Sequence, residues 1–364
     1  MSGSGHSAVG GALDRPSARV QGARAAGTVL VLFALFGLPF ARVGDTVGPG
    51  RRALEAHPEI ALLVVGDSRP HVAISPARLS AELRQIRSGL LPILNVAEDG
   101  TDTLHQSWLV REAFDPARAH PPAVIVWAVD PQGFDGSRLA NRLERVPGRA
   151  LPWLVESGAP LELCLDVALG AIYPPYRHRP MIKEKVEGLT DRIGGVAARL
   201  ETTWLGLAAG APKVKGRLYE PQPDGWEPFV VTSDGPGRFA RGLAAYEVDA
   251  AKYRLSDWHF ELVRRAVRAA RARGAVVVFL EMPVAPVYRE RFGGLGRYEA
   301  WELRMRGLAA EEGQIFLSQV EQFSTPEPFG DPGHLTRAGA EAYMPVLAEA
   351  LSQQPPVVAA LAAW

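Results

Sequence analysis

The sequence predicts an α/β fold in which a parallel sheet of about five strands lies between layers of helices. Three observations point there. Short, wholly apolar runs recur along the chain, as strands buried on both faces require. Stretches of helical period separate them, and strands alternating with helices imply parallel pairing through crossovers. With 364 residues, 47% hydrophobic and 22% charged, the chain is long enough to bury such a core.

The elements follow in order. Ile60 to Val65 is a continuous apolar run ending in Gly66-Asp67-Ser68 and reads as the first buried strand. Ser75-Pro76 opens a helix through Ile86, with Ser75 as N-cap and Pro76 in the first turn. Leu91 to Val96 is a second short strand, and residues 102–113 carry a helical pattern. Ala123 to Val129 is a third strand. Trp258 to Arg273 has the helical repeat Phe260, Val263, Ala266, Val267, Ala270 and stops at Gly274, a C-cap residue. Ala275 to Leu280 is the fourth strand and Gln314 to Leu317 the fifth. Leu335 to Leu351 closes the domain as a helix, and the tail Gln353 to Val358 reads as a surface appendage. Residues 136–254 interrupt the alternation with Pro174-Pro175, Pro221–Pro223 and Pro236, and are expected to form a helical insertion or cap over the sheet. The whole is a flavodoxin-like three-layer sandwich with core segments 56–135 and 255–352.

The N-terminus differs in kind. Residues 1–27, rich in Gly, Ser, Ala and Arg, read as a disordered tail. An uncharged apolar run over 25–41 follows, at the short limit of the roughly 17–25 residues that span a bilayer. Arg15, Arg19 and Arg24 precede it, as in a signal anchor with a cytoplasmic N-terminus. Arg42, Arg51 and Arg52 behind it weaken the orientation signal. No small-x-small cleavage site follows, so an uncleaved transmembrane anchor over 28–41 is preferred to a cleaved signal peptide or a buried core helix. Lys+Arg and Asp+Glu both total 40, which offers no electrostatic footprint for nucleic acid. Cys164 is the only cysteine, excluding an intrachain disulfide and a cysteine-based zinc site. The other histidines show no metal-ligand spacing, and no phosphate loop or dinucleotide fingerprint is present. No cofactor or metal is expected.

Two motifs carry chemistry. Ser68 sits just past the C-terminal end of the first buried strand, the edge where open α/β sheets collect catalytic groups. Its backbone N–H at the turn is placed to stabilise an oxyanion. Phe329-Gly-Asp331-Pro-Gly-His334 precedes the last helix. An Asp and a His three apart, at the start of a helix, can share one side of a turn, the carboxylate holding one ring nitrogen while the other accepts a proton from serine. Each motif alone also reads as a turn and a helix cap; the pair, at opposite ends of the predicted core, is far more specific.

Together these blocks resemble the SGNH (GDSL-like) hydrolase superfamily and cover about half the chain. The resemblance implies Ser68 as nucleophile, His334 as general base and Asp331 as its orienting partner. It also implies Ser68 and a glycine after the second strand as oxyanion-hole donors, and Gly100 in Asn95-Val-Ala-Glu-Asp-Gly100 fits the glycine. The superfamily's third block offers an asparagine after the third strand; here the chain reads Val129-Asp130-Pro131-Gln132. Asp130, if ionised, would repel an oxyanion, and is expected to bind substrate or to fix the loop; Arg69 is expected to bind an anionic substrate or to cap the site with a salt bridge; Gln132 is the weaker alternative as a donor.

Asp-Pro in that block, Gly-Asp-Ser-Arg, Met282-Pro283-Val284 after the fourth strand and the N-terminal anchor resemble the membrane-anchored SGNH-like proteins of bacterial cell-envelope acylation. That resemblance implies a single-pass inner-membrane protein with a periplasmic domain handling acyl esters of a polysaccharide beside a membrane-bound O-acyltransferase. Esterase and O-acyltransferase remain equal readings. A catalytically inactive binding subunit and a lipase-like enzyme are the alternatives. Trp127 and Trp258 are expected in the core. Tyr173, Tyr176, Trp204 and Trp226 are expected to pack in the insertion rather than to stack on sugars, and His71 to be a surface residue.

Overall fold

Apolar side chains on both faces of a strand need cover on both faces, and the computed structural model shows how this chain supplies it. It describes residues 49–86, 89–136, 146–172, 226, 228, 235–293 and 296–364. The expected tail and anchor, and Tyr173, Tyr176 and Trp204, lie outside these. No helix among the described residues is long and apolar enough to cross a membrane.

Helix α1 (Pro49–Ala56) lies in a stretch that has no obvious sequence signal and leads into β1 (Leu62–Val65). The short α2 (Ser68–Ala73) and α3 (Pro76–Glu82) connect it to β2 (Ile93–Asn95). Ser75 caps α3 by accepting from the Arg78 backbone N–H, with Pro76 in its first turn, as expected. Helix α4 (Thr103–Ala113) then leads to β3 (Val124–Val129). Among the described residues between β3 and β4 are α5 (Leu151–Glu156), α6 (Leu161–Ile172), α7 (Gly235–Lys252) and α8 (Asp257–Ala272). β4 (Val276–Glu281) is followed by α9 (Pro286–Gly293) and α10 (Arg297–Glu311), which precede β5 (Ile315–Ser318). The chain ends with β6 (Phe329–Asp331), β7 (His334–Leu335), α11 (Arg337–Ser352) and α12 (Pro355–Ala363).

The central sheet has five strands in the order β2-β1-β3-β4-β5, every pair parallel. Alternate residues serve opposite faces. Leu63, Val65, Ile125, Trp127, Val277 and Phe279 face a core shared with α1, α4, α8 and α10. Leu62, Val64, Val124, Val126, Val278 and Leu280 face a second core shared with α2, α3, α11 and α12.

Two expectations change. The tail is no surface appendage: α12 packs near β3 and β4, with Val357 and Leu361 fully buried one turn apart. Pro355 and Pro356 are tolerated because they occupy its first turn. Of the expected insertion or cap, 136–254, only residues 136, 146–172, 226, 228 and 235–254 are described. Helices α5 and α6 form a separate apolar cluster with Leu104 and Trp108 of α4 and Leu262 of α8, flanking the domain, while α7 packs against β6. Finally, Asp331 and His334 are not on the first turn of a helix. They face each other across the antiparallel β6–β7 pair, and α11 begins only after Thr336, whose hydroxyl caps it through the Gly339 N–H.

Candidate active site

The site begins with the turn after β1. A side chain at Gly66 would run into the Pro70 ring and meet the Ala128 Cβ at 3.0 Å, so only glycine lets the turn pass so close to β3. Asp67 then caps α2 by accepting from the Arg69 N–H at 2.9 Å. Ser68 becomes the first residue of α2, partly exposed above the C-terminal edge of the sheet.

The imidazole arrives from 266 residues away. Thr336 N donates to the Pro328 carbonyl at 2.7 Å and Ala285 N to the Pro332 carbonyl at 2.9 Å. These bonds tie the β6–β7 turn to its own stem and to the loop after β4. Asp331 accepts from the Gly333 and His334 backbone N–H groups at 2.9 and 3.1 Å. Its two oxygens also lie 2.8 and 3.0 Å from His334 Nδ1. An anionic acceptor on that side places the neutral ring's proton on Nδ1. Nε2 is then left as the acceptor facing the Ser68 hydroxyl, at 2.7 Å. Ser68, His334 and Asp331 are therefore in hydrogen-bond contact in the order that nucleophile activation needs.

The cleft at this point is small, about 90 Å³, and is lined by Asp67, Ser68, Gly100, Thr101, Asp102, Gln132, Gly133 and Asp135. These residues come from the loops after β1, β2 and β3. The chain leaves β1 for β2 on one side and places β3 on the other, so the cleft stands at the reversal of strand order. Gly100 lines it with φ +67°, a left-handed conformation that favours glycine.

The loop bearing Gly100 is held against the turn that carries Ser68. Glu98 N and the Thr101 hydroxyl both donate to the Gly66 carbonyl, at 3.2 and 3.1 Å. His71, expected at the surface, is half-buried and pairs through Nδ1 with Asp99 at 2.8 Å. Asn95 donates to the Pro70 and Ile74 carbonyls, each at 2.9 Å. Asn95 therefore fastens β2 to α2, a role that needs partners known only in three dimensions.

Asp130 and Arg69, for which the sequence left substrate binding open beside a loop-fixing role and a salt bridge, are 7% and 6% exposed and are not among the residues lining the cleft. They face each other at 3.4 Å. The other Asp130 oxygen accepts from Gly133 N at 2.9 Å, capping the 3₁₀ turn Pro131–Phe134. Arg69 also donates to the Tyr288 hydroxyl at 2.8 Å and lies over that ring, with Tyr246 of α7 edge-on to Tyr288 behind it. The buried cation thus balances buried carboxyls. Burial, then the charge of Asp130 and a carboxyl–carboxyl hydrogen bond to it, push Asp67 up to about 7 against the opposing pull of Arg69. Asp67 is thereby held protonated to higher pH than an ordinary aspartate. Burial opposes the charge on Arg69, but Tyr288, Asp130 and Asp67 together hold the guanidinium well above its ordinary range.

Trp127 is fully buried and donates to the Gln106 side chain at 3.0 Å, and Trp258 is partly buried against the α5–α6 cluster. Trp226 is buried and donates to the Val72 carbonyl at 2.7 Å, so it packs on α2. No protein-family model and no curated protein matches the chain.

Proposed function

We propose that this protein is an SGNH-type serine esterase or O-acyltransferase with a flavodoxin-like core, acting through an acyl-serine. The observation that carries the reading is the hydrogen-bonded series Ser68 Oγ, His334 Nε2, His334 Nδ1, Asp331, with steps of 2.7 and 2.8 Å.

In the mechanism, His334 Nε2 takes the hydroxyl proton as Ser68 Oγ bonds to the ester carbonyl carbon. Asp331 stabilises the resulting imidazolium. Backbone N–H groups of Ser68 and Gly100 receive the oxyanion. The tetrahedral intermediate collapses, the ester C–O bond breaks, and the leaving alcohol takes the proton from His334. Water or a sugar hydroxyl then gives its proton to His334 as its oxygen bonds to the acyl carbon; the Ser68 Oγ–acyl bond breaks and Oγ takes the proton back from His334. Water makes the outcome hydrolysis, and a hydroxyl makes it transfer.

The small cleft, walled by carboxyls and backbone, supports a short acyl group over a long chain. The cell-envelope polysaccharide, the membrane-bound O-acyltransferase partner and the periplasmic, inner-membrane location rest on the sequence resemblance and the apolar run at 28–41. The second reading, a binding subunit without catalysis, is favoured by one observation: a carboxylic acid, Asp130, stands where the resemblance calls for an asparagine.

A serine-directed fluorophosphonate separates the two. Labelling of the wild type at Ser68, absent in Ser68→Ala, is the expected result. A folded wild type that stays unlabelled would leave only the binding reading. Faster turnover of p-nitrophenyl acetate than of long-chain p-nitrophenyl esters is expected, and the reverse preference would argue for lipid esters.

A further inference from the structure

We propose that the Gln132 carboxamide is the third donor of the oxyanion hole, in place of the asparagine that the third block lacks. The inference rests on the acyl-serine reading and deepens it.

The first observation is an unmatched polar group. Gln132 Nε2 is buried and has no hydrogen-bond partner among the described residues. Burying an amide donor without an acceptor costs about 1–3 kcal/mol, so nearly all such groups in folded proteins find a partner. A donor held unpaired in a structure is ready for an acceptor that arrives later. The second observation is its position. Gln132 lines the same small cleft as Ser68 and Gly100, the two residues whose backbone N–H groups the mechanism uses. The cleft therefore draws one of these residues from the loop after each of β1, β2 and β3.

The third observation is that the backbone carrying Gln132 is fixed from several sides. Asp130 accepts from Gly133 N, the Thr103 hydroxyl donates to the Gly133 carbonyl, and Asp135 N donates to the Gln132 carbonyl at 3.2 Å. Asp135 is in turn held by Arg254 N, at 3.0 Å. A donor on a turn fixed this way needs little reorganisation when charge develops, which is what makes oxyanion stabilisation effective. The same bonds explain Asp130. With one oxygen on Gly133 N and the other facing Arg69, its carboxyl is committed to holding the turn. Asp130 is a positioning residue, and Gln132, two residues on and one methylene longer than asparagine, supplies the N–H.

The test is Gln132→Met, which keeps the length of the side chain and removes the donor, together with Gln132→Ala. Expected for both is a fall of about 10²–10³-fold in kcat on p-nitrophenyl acetate, the usual effect of losing one oxyanion-hole donor, with KM little changed. Labelling of Ser68 by the fluorophosphonate should slow in parallel. Gln132→Met should also melt at or above the wild-type Tm, because it removes an unpaired buried amide; a merely structural glutamine would give the opposite sign. Wild-type-like kcat in Gln132→Met, or a clear loss of Tm, would overturn the assignment while leaving the acyl-serine reading intact. A wild type that neither labels nor turns over would remove that reading, and this role of Gln132 with it.

Discussion

Replacing Asp331 by asparagine puts the proposed chemistry under the sharpest strain for the least structural change. In the wild type one carboxylate oxygen accepts from Gly333 N, His334 N and His334 Nδ1, at 2.9, 3.1 and 2.8 Å, and the other lies 3.0 Å from Nδ1. Asparagine has one oxygen to offer. Turning its NH₂ toward the two backbone donors would leave them unsatisfied, at about 1–3 kcal/mol each. The oxygen therefore stays with the backbone and the NH₂ takes the second site, against Nδ1. That oxygen still lies beside Nδ1, but the NH₂ next to it competes and favours the tautomer with its proton on Nε2, which cannot accept from Ser68, and the charge that steadies the imidazolium is gone whichever tautomer forms. Mispairing of this kind lowers kcat by about 10⁴ in serine hydrolases, or about 5.4 kcal/mol of barrier at 1.36 kcal/mol per tenfold. Because the backbone bonds survive, Tm should change little. The assay is kcat on p-nitrophenyl acetate beside a thermal melt. Asp331→Asn activity within tenfold of wild type, at unchanged Tm, would refute the assignment of His334 as a base oriented by Asp331.

Two other outcomes follow from the scaffold. Asp67 is raised from an ordinary 3.8 to about 7, so between those values the folded protein holds a proton that the unfolded chain has released. Stability from this group is complete below about 3.8 and is lost as pH rises through about 7. Denaturant titrations should therefore show wild-type stability falling, relative to Asp67→Asn, across that window and level above it; parallel curves would show that the Asp67–Asp130 pair holds no extra proton. Leu361→Ala, which empties a fully buried site under α12, should cost about 2–4 kcal/mol in urea unfolding, and a cost below about 0.5 kcal/mol would mean that the C-terminal segment is not docked.

Much of the architecture could be read along the chain because its causes are local. A strand buried on both faces needs an unbroken apolar run, and Ile60–Val65, Ala123–Val129 and Ala275–Leu280 are such runs; each holds a sheet strand within two residues of the expected ends. Ser75-Pro76 starts a helix through one side-chain bond and one fixed dihedral. Gly274, with φ +82°, ends another through backbone freedom. Helices α1 and α12 escaped notice because each is short and places few side chains in the core, so its stability comes from what it packs against rather than from its own pattern.

The amino-acid order by itself determined the strands, the caps and which three residue types stand at the ends of the sheet that a hydrolytic centre would use. Tertiary structure alone decided how they meet. His334 reaches Ser68 because Pro328, Pro332 and Ala285 set the path of a short hairpin, not because a helix starts at Asp331. Arg69 and Asp130 turn to each other because a buried charge is cheaper paired than facing a ligand. Gln132 Nε2 is left without a partner among the described residues because the turn around it is fixed by Asp130, Thr103 and Asp135. Each of these depends on groups distant in sequence arriving at one place, and free energies of that kind have no trace in local composition.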